Sequence, residues 1–214
     1  MPSGASEMAL AVEIQLPVNA LTQTKTSLSR LIKDAASGDT EAFEQIMIHS
    51  QQRVMAMTWR MLGNEADARD ASQEVFLRVY KYLKRFKPDQ DFFAWLYGIT
   101  INVCRDIARK RQRHQAQFTS LTETEEAFAV VADQQGAEEI LQRSQERDLI
   151  ANALAVLSYK ERVAIVLRDI EGLSTDEVAQ ILKSSATTVR SQISSARKKI
   201  RSSCRQQMGR KEQS

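Results

Sequence analysis

Histidine occurs only twice in this chain of 214 residues, at His49 and His114, and cysteine only twice, at Cys104 and Cys204. The cysteines stand far apart without metal-ligand spacing, so no metal site is read from them. Cys104 falls inside a helical pattern and is expected to be buried. Cys204 continues an apolar stripe, and no redox role is assigned to either thiol. No glycine-rich loop that could cradle phosphates is present. The carboxylates that occur in pairs stand on exposed helix faces or in one acidic stretch. Catalysis is therefore unsupported, and neither a cofactor nor a metal is expected. Residues 1–27 lack a basic segment followed by an apolar core, and Glu13 and Pro17 interrupt their apolar residues. Neither a signal peptide nor a membrane span is expected there, and a reduced, cytoplasmic protein is the default.

Net charge is also small, at +3, yet it is unevenly placed, and local clusters set an electrostatic footprint. The densest information lies between Gly172 and Arg201. Ser174 and Glu177 have the S-x-x-E spacing of a capping box, and Val178, Ile181 and Leu182 follow on one helical face. After a short turn, Val189, Ile193, Ala196 and Ile200 form a second apolar stripe. The side opposite carries Arg190, Ser194, Arg197 and Arg201 about one turn apart. Two short helices with a basic second member have the form of a helix-turn-helix, which places one helix in the major groove of DNA. Thr187, Thr188, Arg190, Ser191, Ser194 and Ser195 are candidates for base edges and nearby phosphates, and Arg197, Lys198 and Arg201 for the backbone further along. A solvated amphipathic hairpin would show the same charge run. Lys183 stands where the turn favours glycine, since a left-handed residue with a side chain costs roughly 1 kcal/mol.

Upstream, Ser158 and Glu161 form a second capping box, followed by Val163, Val166, Leu167 and Ile170 on one face. Leu149, Ile150, Ala153, Leu154 and Leu157 mark a helix before it, so 137–205 reads as a bundle of four helices. In the N-terminal half, Gly38-Asp39-Thr40 opens a helix whose Phe43, Ile46, Met47, Val54, Met57 and Met61 recur at helical steps. Gly63 ends it, and Asn64 can cap the next helix, lined by Val75, Phe76, Val79, Tyr80 and Leu83. The other face of that helix carries Asp67, Asp70, Gln73 and Glu74, which either complement the helix dipole or receive a basic partner helix. A loop with Pro88 precedes a third helix, where Phe92, Phe93, Trp95 and Tyr97 cluster in a chain only 6% aromatic. That helix ends in Arg105, Arg109, Lys110, Arg111 and Arg113. Aromatics beside basic residues suit single-stranded nucleic acid, and cations in a last helical turn suit the dipole equally.

With these residues in view, the chain resembles bacterial RNA polymerase sigma factors of the extracytoplasmic-function group, from about Leu28 to Arg201. The resemblance rests on Gly38-Asp39-Thr40-Glu41-Ala42-Phe43, on Asp70-Ala71-Ser72-Gln73-Glu74-Val75-Phe76-Leu77 and on Phe92-Phe93-Ala94-Trp95-Leu96-Tyr97. In the C-terminal half it rests on Arg162-Val163 through Asp169, then Glu171-Gly172-Leu173-Ser174 and Glu177-Val178-Ala179. It implies an all-α fold of two small helical domains, and the stretch between them, poor in periodicity and carrying Glu123, Glu125, Glu126 and Asp133, reads as a flexible acidic linker. The expected boundaries are a disordered extension over 1–27, sigma region two over 28–113, the linker over 114–136, region four over 137–205 and a polar tail over 206–214.

The resemblance also implies roles. Asp67, Asp70, Gln73 and Glu74 would dock on the clamp helices of the largest subunit of core RNA polymerase. Phe86, Lys87, Asp89, Gln90, Asn102, Arg105 and Arg109 would capture and melt the minus-ten element of promoter DNA. Region four would read the minus-thirty-five element and rest on the flap of the second-largest subunit. An anti-sigma factor is a further implied partner. The chain departs from the family pattern at Ser158, at Lys183, at Thr100-Ile101-Asn102 and at Gln192, Ser194 and Ser195, which leaves the promoter sequence open. From the residues alone, a helix-turn-helix regulator that ignores polymerase and a helical adaptor for acidic proteins stay open as well.

Overall fold

The structure is a computed structural model in which residues 18–87, 89–117 and 149–211 are described. Among these residues there is no strand. The chain divides into two compact units, residues 1–46 and residues 47–214.

The first unit holds α1 (Val18–Ala36) and the start of α2 (Thr40–Leu62). Gly38 turns the chain between them at φ 109°. Asp39 then caps α2, its Oδ1 accepting the N–H groups of Glu41 at 2.9 Å and Ala42 at 3.1 Å, donors that lack an intrahelical partner. The helix α1 begins at Val18, inside the segment 1–27 expected to be disordered. Residues 1–17 lie outside the described ones.

The second unit contains two helical lobes. The first consists of α2 from Met47, α3 (Glu65–Tyr82) and α4 (Phe92–Gln117), with a 3₁₀ turn at Leu83–Arg85. Asn64 caps α3 as expected, accepting the Asp67 N–H at 2.7 Å. Val54, Met57, Ala68, Ala71, Val75, Val79, Leu96 and Val103 are fully buried. Each large apolar side chain so buried contributes roughly 1.5–3 kcal/mol. Two buried hydroxyls, Thr58 and Ser72, satisfy one another at 3.1 Å. Tyr80, expected on the apolar face of α3, is instead 60% exposed, and Leu77 beside it is 65% exposed. The core takes up Val75, Phe76, Val79 and Leu83, and Tyr80 falls beyond the edge of that stripe. The helix α4 runs four residues into the segment 114–136 expected as linker. The remainder of that segment, and residues 137–148, lie outside the described ones.

The second lobe comprises α5 (residues 149–155), α6 (Tyr159–Ile165), α7 (Thr175–Leu182) and α8 (Ala186–Lys211). Both capping boxes form. Ser158 and Glu161 start α6, and Ser174 and Glu177 start α7. The last turn after α6 widens into a π-turn, Val166–Ile170. Val163, Val166, Leu167, Val178, Val189 and Ala196 are fully buried between these helices. Leu149, Ile150 and Ile170 were expected on apolar stripes, yet they are 57%, 43% and 46% exposed. For Ile170 the cause is the π-turn, which shifts the helical phase after Val166. The helix α8 continues to Lys211, into the segment expected as a polar tail.

Lys183 closes α7 at φ 51° and ψ 51°. It is the one non-glycine residue with positive φ among the described residues. The N–H groups of Lys183 and Ser184 return to the carbonyls of Gln180 at 3.1 Å and Ala179 at 2.9 Å. That is a Schellman closure with lysine where glycine is usual. Lys183→Gly removes the steric penalty but adds backbone entropy to the unfolded chain. It is expected to stabilise the fold by about 0.5 kcal/mol, measurable by urea denaturation. A loss of stability would contradict the strain assigned to this turn.

Candidate nucleic-acid interface and docking surface

The buried stripe of α8 turns its opposite side outward. Thr187, Thr188, Arg190, Ser191, Ser194, Lys198 and Arg201 are all exposed. Ser185 caps the helix by accepting the Thr188 N–H at 3.1 Å, and the two hydroxyls meet at 2.8 Å. Two of the candidate residues have partners inside the lobe. Ser195 is half-buried and donates to Glu161 at 2.6 Å. Arg197 forms a two-pronged pair with Asp169, at 2.9 and 2.8 Å. This pairing raises the Arg197 pKa further and keeps the guanidinium charged. Arg168 and Thr175 join Arg190, Ser194, Arg197 and Arg201 around an open recess of about 350 Å³. Four guanidinium groups thus line one recess, and one of them, Arg197, is already paired with Asp169.

Glu161 holds the exposed face of α8 in position. It is only 7% exposed. Its carboxylate accepts from the Ser158 backbone at 2.9 Å, the Ser158 hydroxyl at 2.7 Å, Lys199 Nζ at 2.8 Å and Ser195 Oγ at 2.6 Å. The Lys199 ammonium, followed by the hydroxyls of Ser195 and Ser158, holds its pKa down to about 2. One side chain thus completes the capping box of α6 and anchors α8 at two points.

In the first lobe, Phe86 packs on Phe92 at 5.8 Å and on Trp95 at 5.2 Å between ring centroids. This edge and tilted packing fixes the loop before α4. Asp91 caps α4 by accepting the Ala94 N–H at 2.9 Å. Lys87, Asp89, Gln90, Asn102, Arg105 and Arg109 are exposed. Arg105 donates to Asn102 Oδ1 at 2.5 Å, which orients that amide. Asp89, Gln90, Trp95 and Asn102 line one wall of a cleft of about 570 Å³.

On α3, Asp70 and Gln73 are exposed. Glu74 pairs with Arg78 at 2.7 Å, and Arg78 also reaches Asp106 at 3.1 Å. Asp67 accepts from Asn64 Nδ2 at 2.7 Å and from Arg111 at 3.2 Å. Of the four acidic-face candidates, Asp70 and Gln73 are therefore the ones left open for a partner, and Asp67 and Glu74 also brace the lobe. Cys104 is fully buried, and burial pushes its thiol pKa up to about 12, so it is chemically quiet. Among the described residues no group of three or more His, Cys, Asp or Glu could hold a metal ion. None of the described helices is long and apolar enough to cross a membrane.

Two family models match these two lobes in order. "Sigma-70 region 2" matches residues 47–114, and "Sigma-70, region 4" matches residues 147–200. The chain belongs to the sigma-70 family, in its extracytoplasmic-function group. The RNA polymerase sigma-H factor of Pseudomonas aeruginosa is 28% identical over 180 residues, covering 83% of this chain and 93% of the relative. The sigma-E factor of Escherichia coli is 28% identical over 173 residues, covering 79% and 90%. Among solved structures, CnrH bound to the cytosolic domain of CnrY is similar at a TM-score of 0.60 and 28% identity, covering 82% of this chain and 96% of that one. The sigma factor RpoE of Bartonella quintana, solved with the anti-sigma factor NepR, shares the fold at a TM-score of 0.62 and 23% identity, covering 78% and 98%.

The first lobe is thus sigma region two and the second is region four. As a sigma factor, the protein acts in the initiation of transcription. Several residues that matter to region four were not singled out from sequence. Glu161 reads only as a cap, because its ties to Ser195 and Lys199 span 34 and 38 residues and follow from packing alone. Arg168, Asp169 and Thr175 carry no periodic signal that would place them beside α8.

Proposed function

We propose that this sigma factor docks on core polymerase through α3 and reads a bipartite promoter with its two lobes. Region four would take the minus-thirty-five element, with α8 in the major groove. The observation that carries this reading is the exposed face of α8, where Thr187, Thr188, Ser191 and Ser194 surround Arg190 in the N-terminal half and Arg197, Lys198 and Arg201 follow, while Glu161 holds its inner side. Thr187, Thr188, Arg190, Ser191 and Ser194 would meet base edges and adjacent phosphates. Lys198 and Arg201 would meet phosphates, and Arg197 would do so on release from, or together with, Asp169. Ser195 acts on the inner side, through Glu161. Region two would capture a flipped minus-ten base with Gln90, Asn102 and Arg105 beside the Phe86 cluster, with Lys87, Asp89 and Arg109 flanking it. Flipping costs only a few kcal/mol, which a fitted pocket offsets.

Asp70 and Gln73, with Asp67 and Glu74 behind them, would face the polymerase clamp helices, and region four would rest on the flap. The chain itself performs no catalysis and works in the cytoplasm, where the polymerase is. An anti-sigma factor would hold it inactive. Domain limits of 28–113 and 137–205 fit this division of labour, with the intervening stretch as linker.

Salt dependence separates the two classes of interaction on α8. Removing one cation that meets a phosphate should flatten the slope of log affinity against log salt by about 0.9. Arg201→Ala or Lys198→Ala is therefore expected to weaken binding of the holoenzyme to all promoters with that change of slope. Arg190→Ala or Thr188→Ala should instead change which upstream element is preferred, by roughly 1–3 kcal/mol per base pair. Filter binding over a salt series with two promoter sequences measures both. Equal losses on every sequence from both pairs would overturn the division.

A further inference from the structure

Released from Asp169, Arg197 would be one more phosphate contact on α8; held by Asp169, it has a different chemistry. Asp169 stands in the π-turn Val166–Ile170, whose extra residue sets the direction in which its side chain leaves the backbone. Both carboxylate oxygens accept from Arg197, Oδ2 from Nε at 2.9 Å and Oδ1 from Nη2 at 2.8 Å. The guanidinium is thereby held along one side edge. The end of its fork, Nη1 and the second hydrogen of Nη2, has no partner among the described residues. Arg197 lines the recess of about 350 Å³ and Asp169 does not, so the carboxylate stands behind the guanidinium and the end of the fork is the part open to a ligand. Arg168, Arg190 and Arg201 line the same recess and form no ion pair among the described residues.

The pair changes what this guanidinium can bind. An unpaired arginine carries a full charge and takes a phosphate from any sequence. Asp169 cancels that charge, and a phosphate at the end of the fork would meet the repulsion of a carboxylate only one guanidinium away. A neutral group with two acceptors side by side meets little of that repulsion. Guanine offers such a pair in the major groove, O6 and N7, and the fork matches it with two hydrogen bonds. The fork must also lie in the plane of the base, and a flexible arginine gives up side-chain freedom to do so. Asp169 sets that plane before DNA arrives. Fold stability does not account for the pair, because its side chains are 55% and 29% exposed and surface pairs add little. Position on α8 agrees with base reading. Arg190 and Arg197 stand two turns apart on one face, roughly 10 Å along the axis. That is about three base pairs at 3.4 Å each, a span over which a recognition helix reads bases.

We infer that Arg197, with Asp169 as its positioning residue, is a specificity-determining residue that reads one guanine of the upstream promoter element. The inference rests on the promoter-reading function proposed above. The base pair it reads lies about three base pairs from the one read by Arg190. Asp169 also lowers affinity for DNA of unrelated sequence, because it withdraws one cation from the set that binds phosphate.

Binding of the reconstituted holoenzyme, core polymerase with the full chain, tests this over a salt series. The probes are the duplex it selects from a promoter library, the same duplex with each base pair of the upstream element changed singly, and a duplex of unrelated sequence. Arg197→Lys keeps the charge but has no fork. It is expected to lose at least about tenfold in preference for G·C at one position, with the slope of log affinity against log salt unchanged. Asp169→Asn keeps an acceptor and removes the charge. It should bind the unrelated duplex more tightly, steepen the slope by about 0.9 and weaken the preference at that same position. Thermal melting followed by circular dichroism checks that both are folded, and the two substitutions lie on different elements, so either one reports if the other misfolds. Native preference at every position in Arg197→Lys, or a slope flattened by about 0.9 with equal loss on every sequence in Arg197→Ala, would make Arg197 a phosphate contact and overturn the inference. An Asp169→Asn variant that binds every duplex as the native chain does would overturn the role of Asp169. A native holoenzyme that selects no sequence removes the promoter-reading function itself, whereas native selection with unmoved variants removes only the inference.

Discussion

Asp70→Lys combined with Gln73→Lys is expected to reduce run-off transcription by core polymerase at least about 100-fold, with binding of the full chain to a promoter fragment held within about twofold. Both side chains are exposed on α3, so neither change disturbs the core. Both lie outside the Glu74–Arg78–Asp106 and Asp67–Arg111 pairs that brace the lobe. Like charge placed across an interface costs several kcal/mol, and each 1.4 kcal/mol is a factor of ten in affinity. The comparison needs both readouts. Loss of transcription together with loss of fragment binding would mean a folding defect or a DNA contact in α3. Retention of transcription would remove α3 from the polymerase interface.

Glu161→Ala should have the largest effect on stability. The substitution removes the partner of Ser158 in the capping box, about 1 kcal/mol. It also removes the charge-assisted acceptor of Lys199 and the acceptor of Ser195, which raises the total to about 3 kcal/mol. A lobe of this size has little stability to lose. The full-length protein should show a fall of 10 °C or more in the melting of region four, at roughly 4–8 °C per kcal/mol. Circular dichroism in the far ultraviolet measures it, and Glu161→Gln should fall in between. A melting temperature within about 2 °C of native would contradict the anchoring role.

The same carboxylate sets an acid limit. Its pKa is lowered from 4.5 to about 2 in the folded chain, so the unfolded chain binds the proton more readily. The stabilisation is complete above pH 4.5 and is lost as pH falls toward 2. In Glu161→Gln this part of the acid sensitivity should vanish.

Much of the local structure was legible from single residues whose chemistry allows few alternatives. Asn64, Ser158, Ser174 and Gly38 mark helix starts and turns because backbone donors at a helix end need an acceptor and a sharp reversal needs positive φ. Lys183 was readable even as an exception, since the spacing of α7 and α8 demands a left-handed residue whatever its side chain. The apolar edges were less legible. Tyr80, Ile150 and Ile170 share the period of their buried neighbours, but period alone does not tell how wide a face the rest of the fold covers. The extra residue of the π-turn, which moves Ile170 outward and aims Glu171 at Arg60 and Tyr97, carries no periodic mark at all.

The candidate site divides in the same way. The outward face of α8 follows from one helix, so Thr187, Arg190, Ser194 and Arg201 could be named from spacing. The inward ties of Ser195 to Glu161 and of Arg197 to Asp169 join residues 34 and 28 positions apart. No helical period reports such pairs. The same holds for Arg168, in the π-turn after α6, and Thr175, at the start of α7, which reach the basic recess only because α6 and α7 pack on α8.

Run-off transcription by purified core polymerase over a library of promoter sequences, with and without the full chain, tests the central claim most directly. A promoter-reading sigma factor should yield transcripts that depend on the added protein and share two elements about 25 base pairs apart, centred near minus ten and minus thirty-five. Core polymerase that starts no promoter-specific transcript when this chain is supplied would contradict it.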